Sequence, residues 1–520
     1  MDTLLNKFSH LVNGLILGFD RIVFKGMLRP IMYPEGMQNY LKSKNILNKD
    51  FKKYAMENSQ AIVESSEAIS KRLCGRGITY LSSSKERKEA LAHRLQIETG
   101  IKEGLIGVWS CVETCNTFRS TYNHVKKYPV LRSEQSRCKH IYYYFDDPVY
   151  GFMSVRLQTW APYEIQIALN GREWLRRSLD ANHCGYVLSG NKFLHIDDYE
   201  LAQNLLNAQF EADFEKILNG FLPSVFPSMP TVASNMLYYW TLWQSEIAKD
   251  YIFKSREVLE PLMKDFLLHS LITGNGERIL QYFGSPVKAN GQPHQLSNPQ
   301  ILSRANIWYD GLRVRHWNGK NSVKFYNEHN VLRFEMTMND PTKYKIYRHS
   351  EKQDKSEPKR MMPMRKGIAD INVRASVSHN IVNRFTEHMS AVEEKTPLGE
   401  LLKSTAKVLT VNGRRVRALD AFGKDLEFLR AISDPAFDVT AITNKDLRKK
   451  LKDSAWAKSM PDKQLSGRIS RHLLLLREHG LIKKLPNQRK YTLTDKGRKI
   501  TVALDAALAA SVNDLIQFAA

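Results

Sequence analysis

Four side chains that can bind a metal ion lie close together in one part of the sequence. Cys111 and Cys115 occur in SCVETC, and Cys138 and His140 occur in RCKH. Three thiolates and one imidazole suit the tetrahedral coordination of Zn²⁺, so the C-x3-C-x22-C-x-H spacing favours a structural zinc site. Buried free thiols are the alternative, because unpaired cysteines are common in protein interiors.

A second set consists of carboxylates that could hold divalent ions. Asp20 lies inside the apolar run LGFDRIVFKG, and Asp146 ends the aromatic run HIYYYFDD. Glu246 precedes Asp250 by four residues in WQSEIAKD, a spacing that places both on one face of a helix. The layout resembles that of RNase H-like nucleases and transposases, in which converging carboxylates hold two ions such as Mg²⁺ or Mn²⁺. An ion pair with Arg21 is the alternative for Asp20.

A third set lies in a predicted β-hairpin within residues 313–341. The strand SVKFY, the turn NEHN and the strand VLRFEMTM alternate polar and apolar residues. The two strands resemble the K-x-Y and L-R-x-E strands of rolling-circle replication initiators. That resemblance implies Tyr326 as a nucleophile toward a DNA phosphate and Glu335 as a metal ligand, with His316 nearby. A structural or phosphate-binding hairpin is the alternative.

The elements that position these residues are predicted to form a mixed α+β body with antiparallel strands and helices. We divide the sequence into an N-terminal α/β region (1–100), a β-rich and then helical core region (101–285), a β-hairpin-containing region with a basic linker (286–395) and a C-terminal domain (396–520).

Within this body, the apolar run Leu15–Leu28 predicts a strand. Helical spacing predicts helices over most of 199–285, including MLYYWTLWQSEIAKDYIF. Pro, Gly, Asn and Gln predict a loop at 286–306. The helix NGREWLRRSL carries Arg172 beside Trp174, a basic and aromatic combination that suits single-stranded nucleic acid, with an ordinary solvated face as the alternative.

The C-terminal domain contains four pieces in a recognisable order. GKDLEFLRAIS is an amphipathic helix, and TNKDLRKKL starts like a capping box with Thr443 and Asp446. LSGRISRHLLLLREHGLI is a longer helix in which Gly480 suits the C-terminal end. LIKKL and KYTL are two short strands around the turn PNQR, followed by TDKGRK.

This order resembles the winged helix-turn-helix domains of bacterial regulators, including the MarR type. The resemblance implies that the third helix enters the major groove and the wing lies on the DNA backbone. The residues implied to contact nucleic acid are Arg468, Arg471 and His472 near the groove, Lys483, Lys484, Arg489 and Lys490 on phosphates, and Lys449 and Lys450 on the flanking helix. A wing that binds protein or supports a homodimer is the alternative.

The charge of the chain also favours a nucleic-acid partner. Lys and Arg number 77 against 54 Asp and Glu, a formal net charge of +23. Residues 441–500 hold 17 Lys or Arg and 5 Asp or Glu, a net charge of +12. Such a concentration favours a polyanionic partner, with DNA ahead of structured RNA.

Other features of the sequence concern cofactors, membrane partners and location. The chain has no Gly-rich phosphate loop of the Walker or Rossmann type, so we expect no nucleotide cofactor. It has no apolar run of about 18 residues, so we expect no membrane partner. Five cysteines in 520 residues favour a reducing, cytoplasmic location.

We therefore predict a nucleic-acid-binding bacterial protein of the mobile-element, transposase or replication-initiator type, positioned on DNA by its winged helix. A non-enzymatic MarR-like transcriptional regulator with a large sensing body is one alternative, and an RNA-binding scaffold is another. The sequence leaves open whether the chain is an enzyme. An enzyme of this kind would be a metal-dependent DNA nickase, nuclease or transposase.

Overall fold

The computed structural model describes residues 2–274, 276–284, 301–308, 311–349, 358–391, 398–411, 413–434, 437, 441–486 and 488–511. The chain mixes helices with mainly antiparallel strands, as the predicted α+β class requires. It divides into two compact units. Unit 1 is Met1–Val12, Phe253–Asn330 and Asn380–Ala520, and unit 2 is Asn13–Ile252 and Val331–His379.

The strands are β1 (Val12–Met27), β2 (Thr79–Tyr80), β3 (Gly104–Asn123), β4 (Tyr128–Asp147), β5 (Gly151–Gln158), β6 (Ile165–Asn170), β7 (Tyr186–Ser189), β8 (Lys192–Ile196), β9 (Tyr239–Phe253), β10 (Ile301–Trp308), β11 (Gly311–Asn318), β12 (Asn321–Glu328), β13 (Val331–Met338), β14 (Lys345–Arg348), β15 (Arg360–Pro363), β16 (Leu409–Val411), β17 (Arg414–Val416), β18 (Ile482–Lys484) and β19 (Tyr491–Leu493).

The helices are α1 (Thr3–Lys7), α2 (Pro34–Ser43), α3 (Phe51–Cys74), α4 (Lys88–Thr99), α5 (Gly171–Ala181), α6 (Tyr199–Ala208), α7 (Phe214–Val225), α8 (Met229–Val232), α9 (Arg256–Thr273), α10 (Gly276–Tyr282), α11 (Ile371–Met389), α12 (Leu398–Lys403), α13 (Leu426–Ile432), α14 (Asn444–Leu451), α15 (Asp462–Glu478) and α16 (Asp495–Ala509). Among the described residues, no helix is long and apolar enough to cross a lipid bilayer.

Unit 2 is built on a sheet with the strand order β13-β9-β1-β6-β5-β4-β3-β2. The pairs from β1 through β6, β5 and β4 to β3 are antiparallel, as is β9 with β13, and β2 joins β3 in parallel. Side chains alternate along β6, where Ile165, Ile167 and Leu169 are buried and their neighbours are less so. These residues belong to the main core of the unit, together with Phe51 of α3.

The prediction of a helix across Glu246 and Asp250 was wrong, because these residues lie on strand β9. Both faces of the C-terminal half of β9 are covered, since every residue from Ile247 to Phe253 is buried. A strand that is buried on both faces shows no alternation of polar and apolar residues, so its pattern cannot be told from that of a helix. The strand predicted at Leu15–Leu28 is confirmed as β1.

The loop predicted at 286–306 is wrong at its end, because residues 301–306 belong to strand β10. Residues 286–300 of that predicted loop lie outside the described part of the chain. In unit 1, β10, β11 and β12 form an antiparallel meander, so the backbone of β10 is hydrogen-bonded along its length to β11. Polar composition alone did not reveal this pairing, which depends on the next strand in the chain.

The C-terminal part of unit 1, residues 420–511, has a core of its own and is called the C-terminal module below. Phe428 of α13, Leu447 of α14 and Leu473 of α15 are buried together, along with Ile500 of α16. Thr443 caps α14, since its hydroxyl accepts a hydrogen bond from the Asp446 amide at 3.1 Å. Gly480 follows α15 with a φ of 73°, the left-handed conformation that ends a helix with least strain at glycine.

Candidate nucleic-acid interface

The hairpin of strands β18 and β19 presents basic side chains to solvent. Ile482 opposite Leu493 anchors the hairpin to the core, whereas Lys483 and Lys484 are exposed. Arg489 and Lys490, which precede β19, are exposed as well. A hydrogen bond of 2.9 Å from the Leu485 amide to the Lys490 carbonyl closes the turn. The four cations therefore share one small exposed hairpin, as the sequence indicated.

Helix α15 carries the other predicted contacts. Its apolar stripe, including Leu465 and Leu476, faces the core, and Arg471 lies on the exposed side. Lys449 is exposed on the neighbouring helix α14. Both cations are accessible to a ligand without any rearrangement of the module.

Lys450 has a different environment from the other predicted phosphate contacts. Its ammonium group forms an ion pair with the carboxylate of Asp434, which is buried. Because the charge of Lys450 is neutralised inside the module, this residue stabilises the module rather than adding to its exposed positive surface.

Arg468 is fixed by an aromatic side chain that the sequence analysis did not single out. Its guanidinium carbon lies 4.1 Å from the ring centre of Trp456, a cation–π contact. Trp456 in turn packs against Phe428 with ring centres 5.0 Å apart. The contact holds the guanidinium plane of Arg468 at a defined position. In the sequence, the sign of this contact was a tryptophan within the basic segment between α14 and α15.

His472 is half-buried and belongs to a polar cluster with Asp425 and Arg417. Its Nε2 lies 3.2 Å from Asp425 Oδ1, and Arg417 donates two hydrogen bonds to that carboxylate at 2.6 and 2.7 Å. Burial alone would raise the pKa of Asp425, but the hydrogen bonds from Arg417 and His472 hold it well below its ordinary value. The cluster fastens α15 to the start of α13, so His472 positions the helix.

The predicted metal ligand Asp20 lies in a buried network of ion pairs within unit 2. Arg333 donates to Asp250 through Nε at 2.5 Å and Nη2 at 2.8 Å, and to Asp20 through Nη1 at 3.0 Å. A second arginine, Arg172, lies 2.9 Å from Asp250. Asn191 donates to Asp20 at 2.6 Å. Asp20 is thus ion-paired with Arg333, and not with Arg21 as the ion-pair alternative proposed.

Arg172 belongs to this buried network and does not lie at the surface. The sequence suggested a surface cation beside Trp174, but Arg172 is 1% exposed. Helix α5 directs it inward, where it binds Asp250 and donates to the Ala248 carbonyl at 2.9 Å. Two guanidinium groups neutralise two carboxylates here, an arrangement typical of a structural ion-pair cluster.

The other two predicted carboxylates have separate surroundings. Glu246 is half-buried on β9, opposite Thr337 of β13. Asp146 is the penultimate residue of β4. It pairs with Arg177 and accepts a hydrogen bond from Gln96, and burial raises its pKa. Among the described residues, no group of three or more His, Cys, Asp or Glu side chains is placed to hold a metal ion. The Mg²⁺ or Mn²⁺ site stays a prediction from the sequence.

The predicted nucleophile Tyr326 is buried in unit 1. It lies on β12 with 6% of its surface exposed, and the guanidinium of Arg313 is 4.8 Å from its ring centre. The predicted ligand Glu335 is 1% exposed on β13 of unit 2. A nucleophile must reach the phosphate it attacks, so the burial of Tyr326 gives no support to the catalytic assignment, which stays a prediction.

The structure brings the four predicted zinc ligands together only in pairs. Cys111 lies directly opposite His140 across β3 and β4, and Cys115 is bonded to Cys138 as a disulfide. Cys115 follows Cys111 by four positions, which is a distance of about 13 Å along the extended strand β3. Two sulfurs on one Zn²⁺ lie only about 4 Å apart, so this geometry does not gather all four ligands around one point.

The environment of the Cys111 and His140 pair is buried. Burial raises the pKa of the Cys111 thiol to about 11 and lowers the pKa of His140 to about 4. Cys111 Sγ lies 3.3 Å from the Glu113 carboxylate, to which it donates. A protonated thiol and a neutral imidazole fit a protein interior, and the zinc site stays a prediction from the sequence.

Comparison of the chain with family models, with curated proteins and with solved structures gave no match.

Proposed function

We propose that the chain binds DNA and that its C-terminal module is a winged helix-turn-helix domain. The observation that carries this proposal is the exposed hairpin of β18 and β19, which holds Lys483, Lys484, Arg489 and Lys490 beside the exposed face of α15. Basic side chains on such a hairpin neutralise phosphates, and an adjacent helix fits the major groove.

The connections within the module support this assignment. Helices α13, α14 and α15 are followed by the hairpin and then by α16, the order expected for a winged helix. Residue Ile442, just before α14, pairs with Tyr491 through hydrogen bonds of 2.7 and 2.9 Å. This bridge adds a third strand segment to the hairpin and fixes its direction relative to α14.

The positions of the basic side chains indicate which of them contact phosphates and which contact bases. Hairpin lysines that meet phosphates supply affinity without sequence information. Arg471 and Arg468 on α15 are the candidates for base contacts, because a planar guanidinium can donate twice to a guanine edge. The proposal is limited to binding, since Tyr326 and Glu335 are buried.

The test is the double variant Lys483→Ala with Lys490→Ala in the full chain. We expect weaker binding to every duplex sequence and a salt dependence of log K that is lower by about 2, because each lost phosphate contact removes about 0.9 from the slope. Binding is measured by fluorescence anisotropy on duplexes of unrelated sequence across a range of salt concentrations.

The matched control replaces two exposed lysines of α3, Lys53 and Lys71, with alanine. This control removes the same formal charge but leaves the C-terminal module intact. If both double variants lower the salt dependence equally, the effect comes from net charge and the assignment of the hairpin is wrong.

A further inference from the structure

A second basic surface lies in unit 2, on the far end of the hairpin formed by β3 and β4. Strand β5 pairs with β4 only as far as His140, and β2 pairs with β3 only at Trp109 and Ser110. Beyond these points, residues 116–133 continue as two strands paired with each other. We call this segment the β-ribbon. Among the described residues, no further strand pairs with it.

The base of the β-ribbon is held firmly by unit 2. Phe118 and Leu131 are buried in the main core, and Thr117 donates to the Ala161 carbonyl at 2.7 Å. Gln38 accepts a hydrogen bond from the Leu131 amide at 3.0 Å, and Asn48 donates to the Pro129 carbonyl at 3.0 Å. The ribbon therefore leaves the body of the unit in a defined direction.

The turn at its tip is also ordered by local hydrogen bonds. The side chain of Asn123 accepts from the amides of Val125 and Lys126, both at 3.0 Å. The Lys127 amide donates to the Asn123 carbonyl at 2.7 Å. An asparagine that caps its own turn in this way fixes the loop without any contact from another element.

The charge of the β-ribbon has one sign. Residues 116–133 contain Arg119, Lys126, Lys127 and Arg132 and no Asp or Glu. All four cations are exposed. Arg119 lies directly opposite Arg132 across the two strands, and like charges at this position destabilise a strand pair. Glu134 relieves only part of this repulsion, through an exposed contact of 3.6 Å to Arg119.

Apolar and aromatic side chains share the exposed tip with these cations. Val125 is 91% exposed, Tyr122 is 54% exposed and Tyr128 is 48% exposed. A surface in contact with water gains nothing from three such side chains together, whereas thymine methyl groups and sugar rings provide apolar surface for them.

We propose that the β-ribbon inserts into the major groove of duplex DNA. A two-stranded ribbon fits this groove, which is about 12 Å wide. In this arrangement the four cations neutralise phosphates on the groove walls, and the tip with Val125 and Tyr128 reaches the base edges. The site belongs to unit 2, so it adds a DNA contact to the one proposed for the C-terminal module and does not depend on it.

The first experiment replaces Arg119, Lys126, Lys127 and Arg132 with alanine in the full chain. We expect the salt dependence of log K on duplex DNA to fall by about 3 to 4, and affinity at moderate salt to fall more than tenfold. The control replaces four exposed cations of α3, namely Lys52, Lys53, Lys71 and Arg72, and is expected to change the slope by less than about 1. An equal fall in both variants would overturn the proposal.

Comparison with the Lys483 and Lys490 variant separates the two proposed sites. A loss confined to the ribbon variant supports the β-ribbon and contradicts the C-terminal assignment. A loss confined to the variant of the C-terminal module supports the C-terminal assignment and contradicts the β-ribbon. Circular dichroism of every variant confirms that the comparison is made between folded chains.

The second experiment identifies the groove and the contact. The major groove of duplex RNA is too narrow and deep for side chains to reach the bases. The ribbon variant should therefore lose affinity for duplex DNA at least several-fold more than for duplex RNA of the same length, and equal losses would rule out groove insertion. A photocrosslinking benzoylphenylalanine at Val125 should label duplex DNA, whereas one at Ile97, an exposed site on α4, should not.

Discussion

Replacing Arg333 with leucine is expected to lower the free energy of unfolding of unit 2 by about 3–5 kcal/mol. The side chain is 1% exposed and donates to the carboxylates of both Asp20 and Asp250. Leucine leaves these two buried charges with less compensation, and Arg172 is close to only one of them at hydrogen-bonding distance. Removing one partner of a buried pair costs far more than the pair itself contributes.

The free energy of unfolding is measured by chemical denaturation. Hydrogen exchange at the amides of β9 and β13 is measured separately on the native protein. The control is Arg119→Leu, which breaks an exposed pair with Glu134 in the same unit and should cost no more than about 1 kcal/mol. Arg333→Lys should give an intermediate loss, because lysine keeps the charge but cannot donate in the two-pronged geometry. An Arg333→Leu variant as stable as the Arg119→Leu control would show that the network contributes nothing.

The order of elements in the C-terminal module could be predicted from the sequence because its signals are local. The Thr443 cap, the Gly480 terminus and the short strands at Ile482 and Tyr491 depend on neighbours a few residues away. Propensity and capping act over this range. The predicted hairpin cations are all exposed, since the hairpin packs on the core of the module through Ile482, Tyr491 and Leu493 instead.

The surroundings of Asp20 could not be predicted in the same way. Its partner Arg333 is 313 positions away in the sequence, and no local pattern marks such a pair. Read alone, a carboxylate inside an apolar strand looks the same whether it will bind a metal or an arginine. The same limit applies to Arg172, whose helix has a clear amphipathic pattern that did not show which cation would face the core.

The β-ribbon could not be predicted from the sequence for a third reason. The sequence placed residues 116–133 in a region expected to be rich in strands, but it indicated neither the ribbon itself nor its exposure. Exposure depends on where β5 stops pairing with β4, at His140, and that point is set by the register of a third strand. The stretch without acids in residues 116–133 was the available signal, and it gained meaning only once its exposure was known.

Acidification from pH 7.5 to 5.5 is expected to lower the free energy of unfolding of unit 1 by about 4 kcal/mol through three buried or half-buried histidines. Burial lowers the pKa values of His269 and His316 from 6.5 to about 4, and burial with the nearby charges of Arg278 and Arg498 lowers that of His388 well below its ordinary value. In all three cases the unfolded chain binds the proton more tightly. Stability is therefore lost as the pH falls through about 6.5 and continues to fall toward 4.

The geometry explains why His316 and His388 stay neutral when folded. His316 is 2% exposed, with Ser303 Oγ 2.9 Å from its Nδ1 and Ser270 Oγ 3.3 Å from its Nε2. His388 Nε2 lies 2.7 Å from the hydroxyl of Thr273. Hydroxyl groups can satisfy a neutral imidazole, and the pKa is lowered mainly by burial at both rings and also by nearby arginine and histidine side chains at His388, so an added proton would be stabilised poorly.

The variant His316→Gln separates this effect from general acid sensitivity. Glutamine keeps a donor and an acceptor for the two serine hydroxyls but does not titrate, so the loss of stability between pH 7.5 and 5.5 should fall by about a third. The control His10→Gln removes an exposed histidine of the same unit and should leave the loss unchanged. Denaturation midpoints at the two pH values give the comparison. If His316→Gln has the full pH dependence of the native chain, the acid sensitivity of unit 1 originates elsewhere.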